Sequence, residues 1–198
     1  MSAEIAVNIL WAAWYLTWIA AVVFSARTKA QMRTGGPVWH RIAASIGVAC
    51  LFFPARSGRP VSGLEFVGPA TQKLWQEPAW AAWSLFGLVV TAFGFCWWAR
   101  LHLGRLWSGF VTLKEGHRVV ESGPYGLVRH PIYSGVIAAA LATAAIRASP
   151  LALLGALLIT LGFSITARIE ERFLRNQLGA DAYDDYSRRV GMLIPGVG

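Results

Sequence analysis

Apolar positions in this chain run in long uncharged blocks, not at the alternating spacing of a strand or the one-sided spacing of a soluble amphipathic helix. The first block, Ile5 to Ala26, holds 22 residues between Glu4 and Arg27. That length crosses the roughly 30 Å hydrocarbon core of a bilayer as a helix. It reads as a span rather than a signal peptide, because no basic segment precedes it and no small-residue cleavage site follows. A second block, Ile42 to Ala55, has 14 residues and nears spanning length once Val38, Trp39 and a snorkelling Arg41 are added. The third, Pro78 to Ala99, has 22 residues and ends in Trp97-Trp98, an interfacial pair. Pro131 to Ile146 and Ala148 to Ala167 form the fourth and fifth.

Only Arg147, Ala148, Ser149 and Pro150 separate the last two apolar cores, so they predict an antiparallel helical hairpin. Pro150 suits the first turn of the following helix, where a missing N–H costs nothing. Ala139, Ala140, Ala142, Ala144 and Ala145 are expected to face Gly155, Ala156 and Gly162 across the hairpin, because small residues let membrane helices approach closely. This hairpin is the expected tightest unit. The fold class expected is all-α and integral to the membrane, with five spans and a cytoplasmic helical tail. Residues 1–198 form one domain, with three spans in 1–100 and the chemistry in 101–198.

Composition strengthens the membrane reading. Hydrophobic residues make up 56% and charged residues only 14%, against roughly 25% in soluble domains. A soluble enzyme and a disordered chain are both excluded. The net charge of +8 is read as lipid-facing and not nucleic-acid-binding, since no basic run is interleaved with stacking aromatics. Cys50 and Cys96 sit in apolar stretches and read as small hydrophobes.

The basic residues also orient the chain. Arg27, Lys29, Arg33 and Arg41 fall in the first loop, and Arg100, Arg105, Lys114, Arg118 and Arg129 in the third. Arg168, Arg172, Arg175, Arg188 and Arg189 fall in the tail. The second loop and the hairpin tip carry few. The positive-inside rule puts the N-terminus outside and the C-terminus in the cytoplasm. The Gly/Pro-containing segment Arg56 to Glu77 reads as a connector with an interfacial helix.

Chemistry concentrates in two cytoplasmic stretches. His117 to Gly135 contains the turn residues Ser122-Gly123-Pro124 and Tyr125-Gly126, then Arg129-His130-Pro131 leading into the fourth span. His130 and Tyr133, three apart, share a face if the helix begins this early. A set of interfacial anchors is the plainer reading of the same residues. Metal binding by His102, His117 and His130 is disfavoured, because no two stand at helical ligand spacing. The second stretch is Arg168 to Arg175. There Glu170 and Glu171 diverge by roughly 100° on a helix and are not expected to face one site together. Its plain reading is a solvated helix with Glu171 pairing Arg175 at i,i+4. Tyr183, Tyr186 and Val190 form an amphipathic stripe that folds back over the membrane face.

Taken in order, these pieces resemble the isoprenylcysteine carboxyl methyltransferase family and its phospholipid N-methyltransferase relatives. The shared pattern is His117, then Gly123 and Tyr125, then Arg129-His130-Pro131-Ile132-Tyr133-Ser134-Gly135. A hairpin follows, then Glu170-Glu171 to Leu174, and Tyr183, Tyr186, Arg189 and Val190. The resemblance covers about the last 100 residues.

It implies an S-adenosylmethionine-dependent methyltransferase whose lipid-like acceptor enters from the bilayer. The implied cofactor pocket is His117, Arg118, Val119, Val120, Tyr125, His130, Pro131, Ile132 and Tyr133, closed by Glu170 or Glu171. No Gln stands in Ser108 to Thr112 for an upstream polar contact. Carboxyl O-methylation of an isoprenylcysteine-type substrate leads. Arg168 is then expected to hold the acceptor carboxylate, with Glu170 or Glu171 acting in catalysis if the acceptor is an amine. The alternatives are phospholipid N-methylation, a sterol-reductase-like enzyme using NADPH, and a small membrane scaffold.

Overall fold

The computed structural model describes residues 1–21, 28–31, 38–53, 68–104, 112–114, 120–178 and 180–197. Among them the chain forms α1 (Ala3–Ala20), α2 (Trp39–Phe52), the single turn α3 (Gly68–Thr71), α4 (Ala79–Leu103), α5 (Pro131–Arg147), α6 (Pro150–Leu178) and α7 (Ala180–Arg189). Ala3–Ala20, Ala79–Leu103 and Pro150–Asn176 are long and apolar enough to cross a membrane, while α2 and α5 are shorter apolar helices. The 14 residues of α2 reach only about 21 Å. The 29 residues of α6 reach about 43 Å, so its last turns continue well past an apolar core without a break.

The described residues are all-α, as expected, apart from one short ribbon. Thr28–Gln31 (β1) pairs antiparallel with Thr112–Lys114 (β2), with Thr28 opposite Lys114 and Gln31 opposite Thr112. These segments fall in the expected first and third loops, where backbone groups outside the helices still need partners.

Contacts between helix ends fix their directions. The buried Arg100 donates to the carbonyls of Ala21 and Gly104 at 2.7 and 2.8 Å, so it ties together the C-terminal ends of α1 and α4. The Cys96 thiol lies 3.4 Å from the Ile132 carbonyl, which sets α5 antiparallel to α4. At the opposite end Arg147 donates to Asn8 Oδ1 at 2.6 Å, and its guanidinium lies over the Phe52 ring. Lys73 pairs with Glu4 at 2.5 Å there. In chain order α1, α2, α4, α5 and α6 therefore alternate in direction.

The turn between α5 and α6 forms as its residues dictate. Ala148 takes the left-handed conformation, φ 51°, that ends α5. Ser149 Oγ accepts from the Ala152 N–H at 3.3 Å and starts α6, with Pro150 at its first position. The packing of this hairpin departs from expectation. Gly155 and Gly162 lie against α2, not against the alanines of α5. A Cβ on Gly155 would stand 2.6 Å from both the Gly47 carbonyl and the Leu51 nitrogen. One on Gly162 would stand 2.8 Å from the His40 carbonyl and from Ala44 Cβ. The closest backbone approach is thus between helices far apart in sequence, where matched small residues, not a short link, allow it. Gly135 makes the equivalent approach to Ala92 and Cys96 on α4.

The aromatic surplus has a definite use. Trp11 and Trp14 each lie 4.7 Å from Phe93, edge-on and stacked respectively, and Trp14 stacks on Trp18 at 4.8 Å. The buried Trp11 indole donates to Thr143 Oγ1 at 3.0 Å. Ile9, Leu16, Trp80, Leu88, Leu141, Leu157 and Leu161 stay exposed, a lipid-suited belt around the bundle.

Candidate functional site

Three segments converge where α5 begins and α6 leaves the apolar bundle. The first is the loop before α5. Gly123 (φ +59°) opens a short 3-10 turn, Gly123–Gly126, and a Cβ there would meet the His102 ring at 2.8 Å. His102 closes on this turn through Ser122 Oγ at 2.9 Å and stacks on Tyr125. Tyr125 is buried, and its carbonyl accepts from the Tyr186 hydroxyl at 2.7 Å. Burial, reinforced by the charge of Glu170, pushes the Tyr125 phenol far above its ordinary range, so it stays a neutral donor.

The second segment is the start of α5. His130 immediately precedes the helix and Tyr133 follows in its first turn, and their rings stack at 5.3 Å with 1° between planes. The shared face expected from the spacing is present. Pro131 is buried at the first helical position, and Ile132 is half-buried.

The third is the end of α6. Tyr133 donates to Glu170 Oε2 at 2.9 Å. His130 Nε2 lies 3.2 Å from Glu171 Oε1, and His130 Nδ1 lies 3.8 Å from Glu170 Oε2. Adjacent glutamates do diverge on a helix, yet both reach His130 because an imidazole presents its two nitrogens on different edges. This corrects the expectation that they would not face one site together. The expected pairing of Glu171 with Arg175 is also replaced. Glu171 binds Arg129 Nε at 2.6 Å, and Arg175 forks onto both oxygens of Asp184 at 2.7 Å each. A buried guanidinium with its own donors in place outcompetes an exposed i,i+4 neighbour.

Arg129 is the residue that sequence reasoning left out of the site. Beyond Glu171 it donates to the carbonyls of Ser187, at 2.8 Å, and Val190, which close the C-terminal end of α7. Its backbone N–H donates to Gly191 at 2.8 Å, and that of His130 donates to Met192 at 3.1 Å. The arginine of the Arg-His-Pro run was in plain sight, but nothing local indicated that it caps a helix 60 positions away. The tail then holds α7 inward: Tyr183, Tyr186 and Val190 are buried around Leu174. The amphipathic stripe thus packs on the site's own scaffold.

Arg168 stands apart from the stacked pair. It lines a cleft of about 440 Å³ with Glu171, Arg172, Arg175 and residues of α7, and is exposed. Val120 is half-buried at the loop's start. His117, Arg118 and Val119, and most of the stretch from Ser108 to Thr112, lie outside the described residues. Among the described residues no group of three His, Cys, Asp or Glu could hold a metal ion.

The donor set suits a cationic ligand. Among the described residues Glu170 Oε1 makes no hydrogen bond, while Oε2 is held by Tyr133. A half-buried carboxylate with one oxygen fixed and one available, beside a stacked aromatic pair, is chemistry that receives a sulfonium or ammonium group.

Part of the chain is similar to known proteins. Residues 85–176 match the isoprenylcysteine carboxyl methyltransferase (ICMT) family. The chain is 34% identical over 140 residues to a methanethiol S-methyltransferase of Pseudomonas sp., covering 62% of this chain and 53% of the relative. It is 34% identical over 137 residues to methanethiol S-methyltransferase 2 of Bradyrhizobium diazoefficiens, covering 64% and 51%. A probable protein-S-isoprenylcysteine O-methyltransferase of Oryza sativa subsp. indica is 32% identical over 86 residues, covering 43% and 44%. The chain spans about half the length of the curated relatives it matches. The matched segment takes in most of α4, the loop with Tyr125, the His130–Tyr133 stack and the Glu170-Glu171 pair, and over these residues the chain is similar to the isoprenylcysteine carboxyl methyltransferase family.

Proposed function

We propose that the chain is an integral membrane methyltransferase that uses S-adenosylmethionine and takes its acceptor from the bilayer. The observation that carries the reading is the meeting of His130 and Tyr133 with Glu170 and Glu171 at the open end of the α5–α6 hairpin. It falls inside the family-matched segment. The alternating helix directions support five spans, with the short α2 and α5 completed by interfacial residues. The basic ends of α4 and α6 support a cytoplasmic site and tail.

When bound, the cofactor supplies an already activated methyl electrophile. The protein's own task is then alignment and exclusion of water. Glu170 offers Oε1 to the cofactor's positive charge while Tyr133 holds Oε2 in place. The stacked His130–Tyr133 pair presents a flat face. Tyr125 brings a second neutral phenol toward Glu170. His117, Arg118, Val119, Val120, Pro131 and Ile132 complete the pocket on the family pattern. Glu171 engages His130 and Arg129, so its role is to orient them. Arg168 faces the neighbouring cleft and, in this reading, stays outside the methyl-transfer centre.

The acceptor is an anionic nucleophile, which needs no general base once it is deprotonated. A thiol comes first, because the two relatives that align over more than 60% of this chain carry the name methanethiol S-methyltransferase. An isoprenylcysteine-type carboxylate is the second reading, favoured by the Oryza relative. The test is methyl incorporation by the detergent-purified protein from labelled S-adenosylmethionine. A base-stable, volatile or extractable thioether from small thiols is expected. A base-labile ester from a prenylated cysteine would move the assignment to the carboxylate. Label in phospholipid amine, or no label with cofactor unbound, would overturn both.

A further inference from the structure

We propose that the cleft beside Glu171 is a binding site for a phosphate-bearing anion, separate from the methyl-transfer centre. Arg168, Arg172 and Arg175 stand at i, i+4 and i+7, which aligns them along one face of α6. α7 faces them, with Tyr183, Asp184 and Ser187 closing the other wall, and Arg129 and Glu171 form the floor. The cleft is open to the surface and holds about 440 Å³.

The charges in this cleft do not cancel. Glu171 is taken by Arg129 at 2.6 Å, and Asp184 is taken in fork geometry by Arg175. Both acidic groups lining the cleft are therefore already matched. Arg168 and Arg172 make no ion pair among the described residues. Arg172 instead donates its Nε to the Arg168 carbonyl at 3.3 Å, a contact that steadies its stem. Two adjacent guanidiniums one helical turn apart thus stand over a cleft with an excess of about two positive charges. A tetrahedral oxyanion with several acceptor oxygens answers both forks at once, whereas a carboxylate answers one.

The position points to where such an anion resides. Arg168 directly follows Ala167, the last residue of the apolar run of α6, so the cleft opens at headgroup level. Anionic lipid phosphates concentrate there and attract basic clusters. A soluble phosphate or phosphate ester would present the same group from the aqueous side. The proposal does not depend on which acceptor is methylated.

The test uses the full chain purified in a zwitterionic detergent. Native mass spectrometry after incubation with phosphatidylglycerol or phosphatidylcholine measures retained lipid, and thermal unfolding with inorganic phosphate or chloride measures the soluble arm. The variants are R168Q/R172Q and the charge-keeping R168K/R172K. Each lost arginine should weaken binding on the order of tenfold, from the strength of charge-assisted hydrogen bonds. Selective retention of phosphatidylglycerol by the native chain, lost in R168Q/R172Q and partly kept in R168K/R172K, supports a lipid phosphate. Stabilisation by inorganic phosphate alone, lost in the same variant, supports a soluble one. Equal retention of both lipids and no phosphate effect in the native chain overturns the proposal. So does an R168Q/R172Q chain, with native size-exclusion profile, that binds as the native chain does. Should R168Q/R172Q not fold, R172Q alone gives the same reading with a smaller loss.

Discussion

Arg168 and Glu170, two positions apart on α6, lie on nearly opposite faces of that helix. Each residue advances about 100°, so the pair diverges by roughly 200°. Glu170 turns to Tyr133, while Arg168 turns to the cleft under α7. Replacing Glu170 by Gln should therefore weaken cofactor binding by tenfold or more, on the scale of one charge-assisted contact. Arg168→Ala should leave cofactor affinity intact. Calorimetry on the purified protein reads both, and equal losses in the two variants would contradict the geometry.

Tyr133→Phe removes only the hydroxyl that donates to Glu170 at 2.9 Å. The ring stack on His130 remains possible, so the chain should fold and still weaken its hold on S-adenosylmethionine severalfold. His130→Ala removes the stack and both carboxylate contacts, and the loss should be larger. Unchanged affinity in both variants would reduce the pair to interfacial anchors.

Arg129→Ala should act on stability first. Its side chain is 7% exposed and joins Glu171 to the end of α7. Removing one partner of such a buried pair costs about 3–5 kcal/mol. The expected result is a lower unfolding temperature and early proteolytic loss of the segment after Leu178. A tail that stays protected in this variant would show that the Tyr183–Tyr186–Val190 cluster suffices.

Two kinds of glycine should behave in opposite ways. Gly155→Ala forces a Cβ to 2.6 Å from the backbone of α2 and should destabilise by about 1–3 kcal/mol. Gly87 and Gly94 on α4 have nothing within 4 Å of an added Cβ. Alanine at either should be neutral or stabilising by up to about 1 kcal/mol, the helix-propensity gain. Thermal unfolding in one detergent compares them directly.

The topology proposal also has a direct check. A cytoplasm-active reporter fused after Gly198 should work, and one fused before Met1 should not. The reverse pattern would invert the orientation drawn from the basic loops.

Much of this was legible in the chain. The uncharged blocks located α1, α4, α5 and α6, and Ser149-Pro150 located their sharpest turn. The motif order implied a pocket of His130 and Tyr133 closed by Glu170 or Glu171, though not by both. What stayed hidden was long-range pairing. Nothing around Gly155 says that its partner is Gly47 and not Ala140, because a small residue permits close approach without naming the neighbour. Likewise the choice of Arg129 by Glu171 over Arg175 depends on which side of α6 faces inward, and on α7 supplying carbonyls for the remaining donors.

The unbroken run of α6 has a mechanical consequence. Its middle is seated on the short α2, and its far end carries Glu170 and Glu171. A rod gripped at its centre swings its tip when its lower half tilts. A bilayer thinner or thicker than the bundle prefers is accommodated by tilt. That tilt would shift the two carboxylates against His130 and Tyr133, which belong to a different helix. The spacing at the heart of the proposed site would then follow the thickness of the surrounding lipid, which makes the membrane itself a setting of its geometry.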